Sequence, residues 1–280
     1  MPIVLPEEHP ARAGLRLAAP GETPLKVGIV NIMPRLESYE PLLLRSLGSA
    51  ACTVEPVFVR LESHVYTSSD RSHLDRFYRT FDEVGHLDGL IVTGAPVEEV
   101  DFERVRYWDE LTAILLQARR AIRSTLGICW GGLALGALLD IPKRLFRQKL
   151  FGVFDHRVIL DGDPLLPREQ LASIRCAHSR HSGSDDDAVV RAVEAGRVRV
   201  LASSPETGAS IYASHDHRFV AHLGHPEYVA SRLIFEWERD RAAGRTDVPA
   251  PHQLDLESPV TTWRQDSEIF FARWLGLLRS

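Results

Sequence analysis

Cysteine is scarce in this chain of 280 residues, and its three cysteines lie far apart. They are Cys52, Cys129 and Cys176. An odd number of cysteines without a C-x-x-C spacing argues against a disulfide framework and against a zinc ribbon. We therefore expect no bound metal, and one of the three thiols is a candidate nucleophile.

Positive charge is also limited. The 33 basic residues are outnumbered by 38 acidic ones, which gives a formal net charge of −5, and only three of the basic residues are lysines. A nucleic-acid binder needs a clustered positive surface, because binding displaces counterions from phosphates. The sequence contains no such cluster, so we expect no nucleic-acid partner.

Long apolar runs are missing as well. The longest uncharged run, 124–139, is shorter than the ~20 residues that a membrane helix needs, and four glycines interrupt it. The first residues, MPIVLPEEHPARAG, contain two glutamates and lack the apolar core of a signal peptide. The sequence therefore predicts a cytoplasmic protein that binds no membrane.

Short apolar runs rich in β-branched residues are present, and they alternate with helical patterns. Such runs are typical of strands buried on both faces. The predicted strands are 25–32, 53–59, 87–93 and 124–129, and the predicted helices are 42–47 and 107–122. The alternation indicates an α/β fold with a doubly wound, mostly parallel sheet and helices on both faces. In such a sheet, ligands bind at the edge where the strands' carboxyl ends meet.

The second half of the chain is less regular but shows no internal repeat or linker. It contains predicted strands at 198–203, 209–213 and 219–224 and predicted helices at 228–243 and 266–278. We interpret residues 1–280 as a single domain. It would comprise an N-terminal arm (1–24), an α/β core (25–243) and a C-terminal segment and helix (244–280) that packs back on the core.

The strongest chemical signal is the sequence GICWGG at 127–132, between a predicted strand and a predicted helix. A nucleophile on such a tight turn projects above the sheet edge, and glycine neighbours let the backbone make the turn. The helix N-terminus offers backbone N–H groups, that of Trp130 among them, which favour a thiolate and can bind an oxyanion. The alternative is that Cys129 is an ordinary buried cysteine.

A second signal, GHPEY at 224–228, directly follows the apolar strand residues that end at Leu223. A thiol that attacks a carbonyl needs an imidazole to accept its proton, and a carboxylate can fix the tautomer of that imidazole. His225 and Glu227 can supply both. The chain has twelve histidines, so the pair alone carries little weight; its combination with GICWGG favours a catalytic triad.

These two motifs resemble those of the class I glutamine amidotransferase superfamily, and further motifs resemble one branch of it, the homoserine O-acyltransferases of methionine biosynthesis. The resemblance covers essentially the whole chain. The matching segments occur in this order: MPIVLPEE at 1–8, VNIMP at 30–34, DGLIVTGAPVE at 88–98, YW at 107–108, GICW at 127–130, KLFGVFDH at 149–156, AHSRH at 177–181 and GHPEY at 224–228.

The resemblance implies a class I glutamine amidotransferase-like fold and a set of catalytic roles. Cys129 would form an acyl-thioester, His225 would be the general base, and Glu227 would orient it. The backbone N–H of Trp130 would belong to the oxyanion hole.

The resemblance also implies contacts to an amino-acid substrate. Lys149, Ser179 and Arg239 match positions that contact this substrate, and Glu236 matches a position close to its amine. A guanidinium such as that of Arg239 suits a carboxylate. Without the resemblance, Arg239 and Glu236 would be interpreted as a surface i,i+3 ion pair.

Glu98 bears on the choice of acyl donor. In the family, the residue two after Gly-Ala-Pro lies beside the acyl group; it is Gly in succinyl-transferring members and Glu in acetyl-transferring ones. A glutamate there would fill the space of the longer chain and repel a succinyl carboxylate. We therefore expect acetyl-CoA as co-substrate and no permanently bound cofactor; a solvated Glu98 is the alternative.

The expected reaction is acetyl transfer to L-homoserine, with small-molecule substrates as the only partners besides a second copy in a homodimer. The chain departs from the family pattern at Leu36 and Leu133, where we expect the pocket wall, and this leaves L-serine as an alternative acceptor. Homoserine O-succinyl transfer on the same scaffold is a further alternative. Glutamine amidotransfer would use the same triad, and a relative that only binds ligand is the non-enzymatic alternative.

Overall fold

Strands of one large sheet form the centre of the computed structural model, which describes residues 2–18, 23–48 and 52–279. Nine strands occur in these ranges: β1 (Leu25–Val30), β2 (Val54–Val59), β3 (Gly89–Val92), β4 (Ser124–Ile128), β5 (Lys143–Val158), β6 (Ser173–Ser184), β7 (Val198–Ser204), β8 (Gly208–Ser214) and β9 (Phe219–His222). Their order across the sheet is β2-β1-β3-β4-β9-β8-β7-β5-β6.

The sheet has a parallel and an antiparallel part. Strands β2, β1, β3, β4 and β9 are parallel neighbours. Strands β8, β7, β5 and β6 continue the sheet by antiparallel pairing. The carboxyl ends of β3, β4 and β9 therefore meet at one edge, where the candidate site lies.

Helices cover both faces of this sheet. Within the same described residues they are α1 (Leu36–Leu47), α2 (Arg71–Phe77), α3 (Trp108–Ala121), α4 (Trp130–Ala137), α5 (Asp186–Glu194), α6 (Ala230–Ala242) and α7 (Arg264–Leu277). Side chains of β1 alternate between two apolar clusters: Val27 and Ile29 belong to the cluster that α1 and α7 cover, and Val30 belongs to the one that α3 and α5 cover. The predicted doubly wound α/β fold is confirmed.

Both chain ends pack on this core. Near the N-terminus, Ile3 forms isolated bridges to Leu17 and to Val54 of β2. Near the C-terminus, α7 buries Phe270, Phe271 and Trp274. The division into arm, core and C-terminal segment remains a prediction. Among the described residues, the helices are all too short or too polar to cross a bilayer.

Candidate active site

Cys129 occupies the sharp turn between β4 and α4. Its backbone has the unusual dihedral angles φ 51° and ψ −112°, and its N–H donates to the carbonyl oxygen of His222 at 2.8 Å. A Cβ added at Gly127 would overlap the carbonyl oxygen of Gly131, and one added at Gly131 would overlap that of Val92. The two glycines are therefore sterically required, as the sequence predicts for a nucleophile turn.

His225 lies beside Cys129 at the end of β9. Its backbone N–H donates to the carbonyl oxygen of Ala177 at 2.7 Å, which ties the histidine loop to β6. Its side-chain Nδ1 lies 2.7 Å from Oε1 of Glu227. Both side chains are buried. Since the carboxylate engages Nδ1, Nε2 is the ring nitrogen available to the thiol.

Charge from the two neighbours determines the protonation of His225. Burial alone would lower the pKa of its imidazole, but the charges of the Cys129 sulfur and the Glu227 carboxylate, with their hydrogen bonds, raise that pKa well above the ordinary histidine value. The site therefore favours a protonated imidazole next to the sulfur. That arrangement can activate a nucleophile and protonate a leaving group.

The first turn of α4 supplies donors beside the sulfur. Trp130 is the first residue of the helix, and N–H groups in a first turn have no partner within their own helix. The loop after β3 packs closely opposite: a Cβ added at Gly94 would lie 3.5 Å from Cβ of Cys129 and 3.2 Å from Cε1 of His225. A carbonyl oxygen bound at this turn would thus face backbone donors, the arrangement of an oxyanion hole.

Cys129 and His225 open into a cleft of about 450 Å³. The cleft is also lined by every side chain that the sequence predicts to contact substrate, together with Met33, Pro34, Gly94, Ala95, Pro96, Tyr228 and Arg232. The predicted residues in the lining are Glu98, Lys149, Ser179, Glu236 and Arg239. They come from the loop after β3, from the hairpin β5–β6 and from α6.

Glu236 is the centre of a hydrogen-bond network in this cleft. Its carboxylate accepts from the hydroxyl of Ser179 at 2.6 Å, from the hydroxyl of Tyr228 at 2.8 Å and from Nε of Arg232 at 3.2 Å. Burial raises the pKa of Glu236, but the charges of Arg232 and Lys149 outweigh burial and lower it below its ordinary value. A negative charge is therefore held inside the cleft, where it can attract a substrate ammonium group.

Two cations share one carboxylate nearby. Nζ of Lys149 lies 2.7 Å from Oδ2 of Asp240, and Nε and Nη2 of Arg239 lie 2.8 and 2.6 Å from its Oδ1. The surface pair between Arg239 and Glu236 that helical spacing alone would suggest is absent, because each residue has other partners. Lys149 is buried despite its charge. The two cations can receive a substrate carboxylate.

Glu98 lies in the cleft with part of its side chain exposed, but its carboxyl oxygen Oε2 is buried and has no hydrogen-bond partner among the described residues. Burial raises the pKa of Glu98 to about 7, although a backbone hydrogen bond from His181 and the charge of Lys149 oppose the rise. Its backbone carbonyl accepts from Nζ of Lys143 at 2.6 Å, which fixes the loop.

The prediction that Leu36 and Leu133 form part of the pocket wall is wrong. Neither is among the described residues that line the cleft. Leu36 is fully buried in the apolar cluster beneath α1 and α7, and Leu133 packs in the cluster on the other face of the sheet. Packing favours an apolar residue at both positions. The two differences from the family pattern therefore do not bear directly on the acceptor pocket.

The other two thiols lack the surroundings of a nucleophile. Cys176 is buried, donates to the carbonyl oxygen of Ala177 at 3.3 Å, and has a pKa raised well above the ordinary thiol value by burial. Burial also raises the pKa of Cys52. A thiol with a raised pKa is less reactive at neutral pH.

The sequence interpretation missed three side chains in or next to the site. Tyr39 of α1 donates its hydroxyl to Oε1 of Glu227 at 2.9 Å. Arg232 contacts Glu236, as described. Arg180 does not line the cleft, but it is fully buried close enough to Cys129 and Glu98 for their charges to act on it, and it donates to the carbonyl oxygens of Ser182 and Thr207 at 2.8 Å each. Arg180 lies within the motif AHSRH, and Arg232 lies four residues before Glu236, so the sequence near each of them could have indicated a role. No nearby motif points to Tyr39.

Two groups of side chains in the described residues are close enough to hold a metal ion. In the group His9, Glu40 and His73, Nδ1 of His9 accepts from the backbone N–H of Ala11 at 3.2 Å, so the neutral ring carries its proton on the nitrogen that faces Glu40. The group Glu99, His181 and Asp247 contacts the guanidinium of Arg245 instead. We assign a metal to neither group.

Comparison with known proteins supports one family. The family model for homoserine O-succinyltransferase matches residues 16–279. A homoserine O-acetyltransferase of Clostridium novyi is 36% identical, with 99% of this chain and 96% of the relative aligned. A homoserine O-succinyltransferase of Alteromonas mediterranea is 37% identical, with 99% and 93% aligned.

Solved structures agree in fold. A glutamine amidotransferase of Thermotoga maritima superposes with a TM-score of 0.62 at 12% identity, covering 92% of this chain and all of that one. A glutamine amidotransferase of Methylobacillus flagellatus gives 0.59 at 14% identity, covering 92% and 96%. The fold is thus class I glutamine amidotransferase-like. The sequence matches are far more specific, and the chain belongs to the homoserine O-succinyltransferase family, in which both acetyl- and succinyltransferases are named.

Proposed function

We propose that this protein is a homoserine O-acetyltransferase that acts through an acetyl-thioester on Cys129, in methionine biosynthesis. The observation that carries the proposal is that Cys129, His225, Glu98 and the charged groups around Glu236 line one cleft. A nucleophile, a proton carrier, a wall for the acyl group and an amino-acid pocket are thereby adjacent.

In the first half-reaction, the Cys129 sulfur attacks the thioester carbonyl of acetyl-CoA. The backbone N–H of Trp130 stabilises the oxyanion, and the carbon–sulfur bond to CoA breaks as His225 donates a proton to the departing sulfur. Thioester exchange is nearly balanced in free energy because one thioester replaces another. Glu227 holds the imidazole through Nδ1.

In the second half-reaction, the side-chain hydroxyl of the amino acid attacks the acetyl group on Cys129. His225, now neutral, accepts the hydroxyl proton, and the sulfur leaves as a thiolate. Glu236, with Ser179, faces the substrate ammonium, while Lys149 and Arg239 face its carboxylate. These contacts place the reacting hydroxyl towards the thioester.

Glu98 is proposed to select the acetyl donor. Its carboxylate lies in the cleft with Oε2 buried and without a partner among the described residues. Above its pKa of about 7, Glu98 would repel the terminal carboxylate of a succinyl group in a partly desolvated site. Acetyl has no such charge and is also shorter.

L-Homoserine is the proposed acceptor, and L-serine is the competing one. The polar groups of the cleft hold the charged ends common to both amino acids, so discrimination depends on how far the hydroxyl reaches. One methylene is worth only ~1–3 kcal/mol in a pocket. The homoserine named for the relatives favours the longer substrate.

The proposal is tested by following thiol release from acetyl-CoA and succinyl-CoA with L-homoserine, L-serine and no acceptor. We expect the highest kcat/KM with acetyl-CoA and L-homoserine. Equal use of succinyl-CoA would contradict the donor assignment, and a higher kcat/KM for serine would contradict the acceptor assignment. Glutamine hydrolysis measured in parallel, without thiol release from either donor, would indicate an amidotransferase-type hydrolase instead.

A further inference from the structure

A second groove, of about 1110 Å³, adjoins the catalytic cleft. One side is formed by Pro34 and Arg35, at the start of α1, and the other by side chains of α6 that include Arg232, Phe235 and Arg239. Pro34, Arg232 and Arg239 line both spaces. The groove and the cleft are therefore adjacent, and a long substrate bound in the cleft can extend past these three residues into the groove.

One guanidinium of the groove, that of Arg35, is free to bind an anion. Three arginines and a single glutamate, Glu238, contribute to its lining. Arg232 and Arg239 have carboxylate partners, Glu236 and Asp240. The guanidinium of Arg35 is exposed and has no hydrogen-bond or ion-pair partner among the described residues. A free guanidinium presents several N–H donors in a plane, which matches the geometry of a phosphate.

The groove also contains an exposed aromatic ring. The side chain of Phe235 is 41% exposed, although phenylalanine is usually buried. The guanidinium of Arg232 lies over its ring, 5.5 Å from the centroid. A flat ring that is open on one side and next to cations is a suitable surface for a nucleobase, because bases stack on aromatic side chains.

We propose that this groove binds the phosphate-bearing adenosine end of CoA, with Arg35 contacting phosphate and Phe235 contacting adenine. The pantetheine arm then passes Pro34 and Arg239 into the cleft and brings the thioester to Cys129. This inference rests on the proposed function, since it requires an acyl-CoA donor. The inference goes beyond the proposed function because it places the nucleotide of CoA in the groove, outside the catalytic cleft.

The first test compares acetyl-CoA with S-acetyl-N-acetylcysteamine, a thioester that lacks the nucleotide. Arg35→Gln should lower kcat/KM for acetyl-CoA about five-fold, the size of one exposed charge pair, mainly by raising KM. It should leave kcat/KM for the short thioester unchanged. Arg71→Gln is the matched control, because Arg71 is an exposed arginine that does not line the groove.

The outcomes separate this inference from the proposed function. If wild type is acylated by neither donor, the proposed function fails. If wild type is acylated but Arg35→Gln changes both donors equally, or neither, the nucleotide does not bind at Arg35 and this inference is overturned. A further comparison uses acetyl-CoA and its 3′-dephospho analogue. If the 3′-phosphate contacts Arg35, the ratio of kcat/KM for acetyl-CoA to that for the analogue should be about five-fold smaller in Arg35→Gln than in wild type, and the wild-type ratio should fall as salt is added.

The second test uses Phe235 and Glu238. Phe235→Ala should raise KM for acetyl-CoA about five-fold without affecting the short thioester, whereas Glu238→Gln should lower that KM about two-fold by removing a repulsive charge. The mass of each variant in solution is measured by light scattering. An unchanged KM together with a changed mass for Phe235→Ala would show that a second copy of the chain covers the groove, and would overturn the assignment.

Discussion

The hydroxyl of Tyr39 donates to Oε1 of Glu227 at 2.9 Å, and the same oxygen lies 2.7 Å from Nδ1 of His225. The second carboxylate oxygen, Oε2, is buried without a hydrogen-bond partner among the described residues. One oxygen thus joins α1 to the histidine loop. The position of His225 depends on a tyrosine that lies 188 residues from Glu227 in the sequence.

The next residue along α1 anchors the helix. Glu40 is buried, accepts from the hydroxyl of Tyr78 at 2.7 Å and lies 2.8 Å from Nε2 of His73 on α2. Burial raises the pKa of this carboxyl, and the hydrogen bonds from Tyr78 and His73 oppose that effect. Tyr39 therefore projects from a helix that the contacts of Glu40 with Tyr78 and His73 hold in place.

Tyr39→Phe should lower kcat about ten-fold. The substitution removes a buried donor, so it should also lower the free energy of unfolding by about 1–2 kcal/mol. Steady-state kinetics and urea unfolding measure the two effects. A loss of stability with unchanged kcat, at a temperature where the variant is folded, would mean that Tyr39 has only a structural role.

Glu236→Gln should separate the two half-reactions. Glutamine keeps the shape of the side chain but removes the charge that we propose to face the substrate ammonium. Since a hydrogen bond to a charged group contributes about 1.5–3 kcal/mol, kcat/KM for L-homoserine should fall roughly 10- to 100-fold. The rate of Cys129 acylation by acetyl-CoA alone should change little, which a rapid-quench experiment would measure.

Lys26→Gln is a suitable control for Glu236→Gln, because Lys26 is an exposed residue of β1 outside the cleft lining. It should leave both half-reactions unchanged. If Glu236→Gln slowed acylation and acyl transfer to the same extent, Glu236 would be organising the whole cleft and not receiving the amino-acid substrate.

Donor preference should depend on pH. Because burial raises the pKa of Glu98 to about 7, its carboxyl is charged above this pH and neutral below it. Repulsion of a succinyl carboxylate is therefore strongest well above pH 7, where Glu98 is charged, and is lost as the pH falls through 7. The ratio of kcat/KM for succinyl-CoA to that for acetyl-CoA should therefore increase when the pH is lowered from 8 to 6.

Taking the ratio cancels the titration of groups that act on both donors, such as His225. Glu98→Gln should make the ratio independent of pH, and Glu98→Gly should increase it further by opening space. A ratio that changed with pH to the same extent in Glu98→Gln as in wild type would exclude Glu98 as the titrating group.

The sequence predicted the parallel half of the sheet better than the antiparallel half. Strands β1, β3 and β4 are continuous apolar runs because both of their faces are covered, so they are visible without other information. By contrast, β5 begins with KRLFRQ, whose side chains are mostly exposed, and β6 buries polar residues such as His178 and Arg180. Neither pattern is typical of a strand, and no strand was predicted there.

The site divides in a similar way. Cys129, His225 and Glu227 belong to short motifs whose spacing reflects local geometry, so they could be found directly. The partners of Lys149 and Ser179 are Asp240 and Glu236, which lie on another element and come together only when β5, β6 and α6 pack. Tyr39 lies outside every motif, and no local pattern links it to Glu227.

Acylation of Cys129 by acetyl-CoA in the absence of an acceptor tests the central claim most directly. Intact-mass and peptide mass spectrometry should find one acetyl group, on the peptide that contains Cys129, in wild type and in Cys52→Ala and Cys176→Ala, and none in Cys129→Ala. Addition of L-homoserine should remove it and yield O-acetylhomoserine. Normal turnover in Cys129→Ala, or an acetyl group on Cys176 in place of Cys129, would contradict the account.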